Sequence, residues 1–234
     1  MKSRIYIILG AGSGLGHQVS ETLTKTSNII GTYNSFKKNN SKNIKFVKLD
    51  ISKNKDIENF FKNHKRILSR YKEIILISFI TLADTKIIIN NDIKTIKKII
   101  NLNISSVYYF TSKLIKNFLG KKLSIILTSS SRAITGDKGI SLYSISKNSM
   151  HSFVKSIAIE YGGLNVRANV ISLGFFKTKL WDDLNLNLKK ELINKTSVKR
   201  MGNIRELNST IKYITQCEYL NGSVIYLDGG YGLS

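Results

Sequence analysis

Ile5-Tyr6-Ile7-Ile8-Leu9-Gly10-Ala11-Gly12-Ser13-Gly14-Leu15-Gly16 is the stretch from which the fold is read. Its first five residues run without polar alternation, the pattern of a strand buried on both faces. A glycine-rich turn follows, and a helical pattern continues to about Thr26. A strand, a glycine turn and a helix in that order bring free N–H groups and the positive end of a helix dipole to the strand's carboxyl end. Glycines let a pyrophosphate approach the backbone there. Gly10, Gly12, Ser13, Gly14, Leu15 and Gly16 are therefore candidate dinucleotide contacts. The spacing G-x-G-x-x-G fails at Leu15, whereas G-x-x-x-G-x-G fits Gly10, Gly14 and Gly16. A tight turn with no ligand is the competing reading.

The alternation recurs along the chain. Strand-like runs begin at Ile29-Ile30 and span Ile44 to Leu49, Ile74 to Ile77, Leu123 to Leu127, Val166 to Ile171 and Val224 to Leu227. Helical patterns fill Lys53 to about Arg70, Asp92 to Leu119 and Leu142 to Tyr161. Buried strands alternating with helices predict an α/β fold: a doubly wound, Rossmann-like parallel sheet of about seven strands with helices on both faces. There is no repeat, linker or composition break, so residues 1–234 read as one dinucleotide-binding domain. The irregular stretch within 175–200, with Trp181, Asp182 and Asp183 in a polar setting, reads as a substrate lid or as surface decoration.

Composition bounds the partners. A hydrophobic content of 42% suits a globular core. The net charge of +22, from 37 Lys+Arg against 15 Asp+Glu, suits a nucleic acid, an anionic membrane or an acidic partner. The lysines are scattered beside Asn and Ile, and prolines are absent, so a chain-wide compositional bias is the favoured account of the charge. No helix-turn-helix, zinc or aromatic-basic ribonucleoprotein pattern is visible, and specific nucleic-acid binding is not expected. Cys217 is the one cysteine, which points to a reducing compartment. His17, His64 and His151 stand apart from any Cys or carboxylate cluster, so no metal site is expected. No run is long enough for a membrane span, and a soluble cytoplasmic protein is the expectation.

From Thr22 through Leu49 no acidic residue occurs. An acidic side chain there would hold the ribose 2′-hydroxyl of NAD. The second strand instead runs into Asn34 and Ser35, then Lys37 and Lys38, which would welcome a 2′-phosphate. NADP is the expected cofactor, with NAD as the alternative.

Tyr143 and Lys147 are four apart on a predicted helix, hence on one face. An ammonium beside a phenol favours the phenolate, so Tyr143 is expected to be more acidic than a free tyrosine and able to exchange a proton with an alcohol or ketone. Such a pair also arises on helices by chance. The glycine spacing, Ser130 thirteen residues before Tyr143, and Tyr143-x-x-x-Lys147 together resemble the short-chain dehydrogenase/reductase family. Within it they resemble the bacterial 3-oxoacyl-acyl-carrier-protein reductases. Asn103, Asp50 with Ile51, the segment Leu173-Gly174-Phe175-Phe176-Lys177-Thr178, Arg200-Met201-Gly202 and Asp228-Gly229-Gly230 extend the likeness over nearly the whole chain.

The resemblance implies roles. Tyr143 would be the general acid, Lys147 would lower its pKa and bond the nicotinamide ribose, and Ser130 would orient the carbonyl. Asn103 would hold a water that relays protons toward Lys147. Asp50 and Ile51 would contact the adenine; Gly174, Phe176 and Thr178 would lie at the nicotinamide. The substrate would be a ketone or acyl thioester, possible on an acidic carrier protein, and the assembly a homodimer or homotetramer. Ser78-Phe79-Ile80-Thr81 departs from the family's Asn-Asn-Ala-Gly, and Leu9 and Leu173 replace a threonine and a proline. The Phe79 and Ile80 change is the one feature that favours a second reading, a catalytically inactive nucleotide-binding sensor or scaffold.

Overall fold

Isoleucine and valine dominate the strand interiors, where branched side chains suit a pleated, buried surface. A computed structural model describes every residue except 1, 36–38, 179–180, 182–184, 232 and 234. Lys37, Lys38, Asp182 and Asp183 thus lie outside the described residues. The strands are β1 (Lys2–Leu9), β2 (Asn28–Tyr33), β3 (Ile44–Lys48), β4 (Tyr71–Ser78), β5 (Lys122–Ser130), β6 (Val166–Leu173) and β7 (Val224–Leu227). They form one sheet in the order β3-β2-β1-β4-β5-β6-β7. Every neighbouring pair is parallel.

The helices are α1 (Gly14–Leu23), α2 (Asn54–Leu68), α3 (Ile93–Ile100), α4 (Ser106–Phe118), α5 (Ser131–Thr135), α6 (Ser141–Tyr161), α7 (Leu186–Asn194) and α8 (Ile204–Gln216). Strand residues divide between two cores. Ile74 and Leu76 face one core with Phe60 of α2, Phe110 of α4 and Val154 of α6. Ile75 and Ile77 face the other with Val19 of α1 and Leu207, Ile211 and Ile214 of α8. This is why β4 reads as an unbroken apolar run: a strand covered on both sides has no solvent face to mark with polar residues.

Chain order reverses between β1 and β4, which leaves a crevice at their carboxyl ends. The glycine turn after β1 and Ser78–Thr81 after β4 flank it. Ser130 ends β5 on the same edge, paired across to Leu173 at the end of β6.

Three expectations change. The single helical pattern from Asp92 to Leu119 is broken by a π-helical turn over Asn101–Ser105. That turn rotates the register between α3 and α4. Helix α8 was not anticipated. Its signal was present: Asn203 accepts from the Glu206 N–H at 3.1 Å, and Glu206 accepts from the Asn203 N–H at 2.8 Å, a capping box before an apolar stripe. Trp181, expected in a polar setting, is buried and packs on Phe175 with ring centroids 5.5 Å apart. Phe175 in turn meets Tyr231 edge-on at 5.3 Å. Phe175 is six residues from Trp181, whereas the tertiary fold brings Tyr231 from fifty residues away.

Candidate active site

The glycine turn is shaped for an anion. Gly14 has φ +57°, and the space a Cβ would enter there is open for 4 Å. Ser13 caps α1 without spending its side chain on the helix, and the first turn carries no acidic residue. The helix N-terminus therefore keeps its donors and positive end for a pyrophosphate. Gly16 is required by close approach, since a Cβ would lie 2.3 Å from the Gly10 carbonyl oxygen. Gly16→Ala is expected to open the turn, cost about 2–4 kcal/mol of stability and weaken dinucleotide binding by about a hundredfold or more. Urea unfolding and fluorescence titration read the two effects, and an unchanged affinity would remove the turn from the dinucleotide site.

Phe79 and Ile80 sit on opposite sides of the sheet's edge. Phe79 joins the core that holds Val19, and its ring lies 3.3 Å from where a Gly16 Cβ would be. Ile80 packs into the core of Phe110 and Val154. The bulky pair fills core space beneath the crevice, which accounts physically for the departure noted above.

Four chain segments meet around α6. Ser129 Oγ donates to the Lys147 carbonyl at 3.0 Å, tying the helix to β5. Thr128 Oγ donates to the Ser78 carbonyl at 2.8 Å, tying β5 to β4. Asn103, buried in the π-helical turn, accepts from the Leu82 N–H at 2.7 Å. It donates to the Leu82 carbonyl at 2.8 Å and to Ser146 Oγ at 2.9 Å. Both its donors are committed, so its amide works as a brace between the Leu82 strand exit and α6. The water-holding role implied for Asn103 has no free side-chain donor. Ser146, which sequence reasoning missed, lies between Tyr143 and Lys147 and donates to the Tyr143 carbonyl at 2.8 Å.

Lys147 is buried and donates to the carbonyls of Ile80 at 3.1 Å and Thr128 at 3.2 Å. No carboxylate pairs with it among the described residues, and burial lowers its pKa from 10.5 to about 8. Tyr143 shows a net effect opposite to the expectation. Burial raises its phenol above the ordinary value of 10, while the Ser130 hydroxyl and the Arg132 charge act the other way. Sharing a helix face with Lys147 does not suffice, because the lysine stem turns into the sheet toward two carbonyls. The phenol is thus held in its protonated form, the form that donates a proton to a carbonyl oxygen.

The remaining predicted contacts lie on the same edge of the sheet with varied surroundings. Asn34 and Ser35 are exposed just after β2. Asp50 accepts from Ser52 Oγ at 2.6 Å and pairs with Lys53 at 3.5 Å, so its carboxylate stabilises the entry to α2; Ile51 beside it is buried. Gly174 donates its N–H to the Leu227 carbonyl at 3.0 Å. The Phe176 side chain is buried in the core with its ring over Gly202, and its backbone forms an isolated parallel bridge with the same glycine. Thr178 Oγ accepts from the Trp181 N–H at 3.3 Å. From α1, Gln18 donates to the Lys177 carbonyl at 3.1 Å, a strap joining the glycine turn's helix to the segment after β6 that sequence reasoning did not see. No group of His, Cys, Asp and Glu suited to a metal ion occurs among the described residues. Among them, too, no helix is long and apolar enough to cross a membrane.

A family model described as enoyl-(acyl carrier protein) reductase matches residues 10–232. The chain belongs to the short-chain dehydrogenase/reductase family. It is an NAD(P)-dependent oxidoreductase of that family. The 3-oxoacyl-[acyl-carrier-protein] reductase of Buchnera aphidicola subsp. Baizongia pistaciae is 30% identical, over 97% of this chain and 96% of the relative. The corresponding reductase of Salmonella typhimurium is 25% identical over 98% and 97%. Among solved structures, a 4-hydroxyisoleucine dehydrogenase complexed with NADH superposes with a TM-score of 0.86 at 24% identity, covering 99% of this chain and all of that one. A short-chain dehydrogenase family protein from Francisella tularensis reaches 0.84 at 23% identity, again over the full length of both.

Proposed function

We propose that this short-chain dehydrogenase/reductase reduces a ketone, a 3-oxoacyl thioester or a related carbonyl compound, with NADP in preference to NAD. The observation that carries the reading is the hydrogen bond between Ser130 and Tyr143, on the sheet edge that also bears the glycine turn, with buried Lys147 one helical turn further along α6. A bound reduced nicotinamide supplies hydride to the carbonyl carbon. The Tyr143 phenol gives its proton to the carbonyl oxygen. The Ser130 hydroxyl donates a hydrogen bond to the same oxygen and fixes its orientation. Lys147 holds positive charge beneath the site, where charge develops on oxygen.

The preference for NADP rests on the absence of acidic residues from Thr22 through Leu49 and on Asn34 and Ser35 at the end of β2. The acyl-thioester class is supported by the full-length likeness to 3-oxoacyl-carrier reductases. The inactive-scaffold reading has Phe79 and Ile80 as its one support, and both side chains pack against the two cores; ketone turnover separates the two readings. A second copy of the chain suits the groove between α4 and α6, where Tyr108 stacks on Phe153 at 4.8 Å beside exposed Leu119.

Titration of the purified protein with NADPH and NADH, followed by turnover of acetoacetyl thioester, tests the reading. NADPH is expected to bind about tenfold tighter or more, the 1.4 kcal/mol per decade that one hydrogen bond to a charged group supplies. Binding of both dinucleotides with no ketone reduced would sink the catalytic reading. Tighter NADH binding would reverse the cofactor assignment.

A further inference from the structure

Arg132 stands two residues beyond Ser130, in α5, and the catalytic scheme above gives it no task. Helix α5 is pinned to α6 by Asn148 Nδ2, which donates to the Ala133 carbonyl at 2.7 Å. The guanidinium is half-buried. Its Nε and Nη2 both donate to one oxygen of Asp137, at 3.0 and 2.6 Å. This is not the two-oxygen fork that a carboxylate and a guanidinium favour. The other Asp137 oxygen is turned aside to the Lys138 N–H at 2.9 Å. Nη1 has no hydrogen-bond partner among the described residues, and the charge is close enough to act on the Tyr143 phenol.

A second cation acts on the partner of Arg132. Lys195, just past α7, pairs with Glu191 at 2.9 Å, and its charge is felt by Asp137. Of the charged groups nearby, Arg132 is the one that acts on the Tyr143 phenol, while Asp137 holds its guanidinium and Asp228 accepts from Ser131 Oγ. A partly exposed ion pair such as Arg132–Asp137 contributes about 0–1 kcal/mol to stability. That is a weak structural reason to set a half-used guanidinium beside a proton donor.

We propose that Arg132 recognises an anionic group on the substrate: the ketone is an oxo acid whose carboxylate meets the guanidinium while its carbonyl oxygen lies between Ser130 and Tyr143. The inference rests on the ketone-reductase reading and chooses within it, setting a carboxylate-bearing ketone above a neutral thioester. Two residues of chain separate Ser130 from Arg132, a reach of at most about 7 Å between Cα atoms. With the Arg132 charge in reach of the Tyr143 phenol, a 3-oxo acid, whose carboxylate is a few bonds from its carbonyl, is the simplest such substrate. Hydride joins the carbonyl carbon, the Tyr143 proton joins the oxygen, and the carboxylate is unchanged. Asp137 holds the guanidinium in place until the substrate displaces it or takes the free Nη1 side.

The test compares acetoacetate with the neutral acetoacetyl thioester of N-acetylcysteamine, at saturating NADPH and again with NADH. The parent should show the higher kcat/KM with the acid. Arg132→Met should lower kcat/KM for the acid by about a hundredfold, mostly through KM, and for the thioester by less than about threefold. Asp137→Asn, which keeps the cation and loosens its partner, should lower KM for the acid alone. Equal losses on both substrates in Arg132→Met would assign Arg132 to the scaffold. A parent that reduces the thioester but not the acid would overturn this inference and leave the ketone reading standing. If the parent reduces neither, the ketone reading fails, and calorimetric binding of acetoacetate decides this one. Binding lost in Arg132→Met supports it, and no binding to the parent overturns it. Should Arg132→Met fail to fold, the KM shift in Asp137→Asn decides, and an unchanged KM overturns the proposal.

Discussion

Tyr143→Phe is expected to lower ketone turnover by about a thousandfold, the share a positioned proton donor contributes, while dinucleotide affinity stays within about threefold. The variant removes one oxygen from a ring whose packing is otherwise kept. Ser130 remains to orient the carbonyl, and the glycine turn remains to hold the dinucleotide, so binding and chemistry separate cleanly. Steady-state turnover and fluorescence titration on the same preparation read both. Parent-like reduction by the variant would remove Tyr143 from the chemistry. Loss of dinucleotide binding together with turnover would show instead that the phenol holds the cofactor site together. The raised phenol pKa agrees with the acid role, because the group arrives at the carbonyl with its proton in place.

The second large effect concerns Lys147 and depends on pH. Burial without a carboxylate partner lowers its pKa from 10.5 to about 8. Below pH 8 the amine is charged in both folded and unfolded chains, and folding bears the full cost of burying the charge. Between 8 and 10.5 the folded chain releases the proton while the unfolded chain keeps it. The unfolded state then binds more protons, so stability rises with pH across that window. The drop in pKa corresponds to on the order of 3 kcal/mol. Lys147→Met has no such group. The parent is therefore expected to gain on the order of 3 kcal/mol relative to Lys147→Met between pH 7 and 10.5, in urea unfolding at each pH. Parallel stability curves would mean that the two carbonyls of Ile80 and Thr128 solvate the ammonium fully. Lys147→Met should also abolish reduction at neutral pH, since the ammonium assigned to the charge developing on oxygen is gone and the Arg132 guanidinium is held by Asp137.

That cost suggests why a buried lysine stands there. An apolar residue between β4, β5 and α6 would carry no such cost, because it has no charge to bury. A buried, poorly compensated charge is the kind of local conflict that sites of chemistry retain. The same reasoning separates Lys147 from most of the chain's other lysines, which sit in solvent and follow from composition.

Much of the fold was legible because its signals are local. Ile5–Leu9 and Ile74–Ile77 announce strands covered on both faces through the absence of polar alternation. Gly10, Gly14 and Gly16 announce a turn that must pass close to itself and to an anion. Tyr143 and Lys147 announce a shared helix face through a four-residue step. Helix α8 was legible as well, in Asn203-x-x-Glu206 and the stripe Ile204, Leu207, Ile211 and Ile214, but the reading passed over it. The π-helical turn at Asn101–Ser105 carries no local mark, because the extra residue is accommodated only where Asn103 finds Leu82 and Ser146.

By itself, then, the amino-acid order determined the parallel doubly wound sheet, the glycine turn after its first strand and the family to which the chain belongs, since periodicity and spacing act over a few residues. Tertiary packing alone decided what each group does there. It turned Lys147 toward two carbonyls and, by burial, raised the Tyr143 phenol above its ordinary value. It drew Trp181 onto Phe175, sent Phe79 and Ile80 to opposite cores, and set Arg132 beside the phenol. Desolvation and charge act through space, and the distances that govern them are set by strands β4, β5 and β6 meeting α6, not by position along the chain.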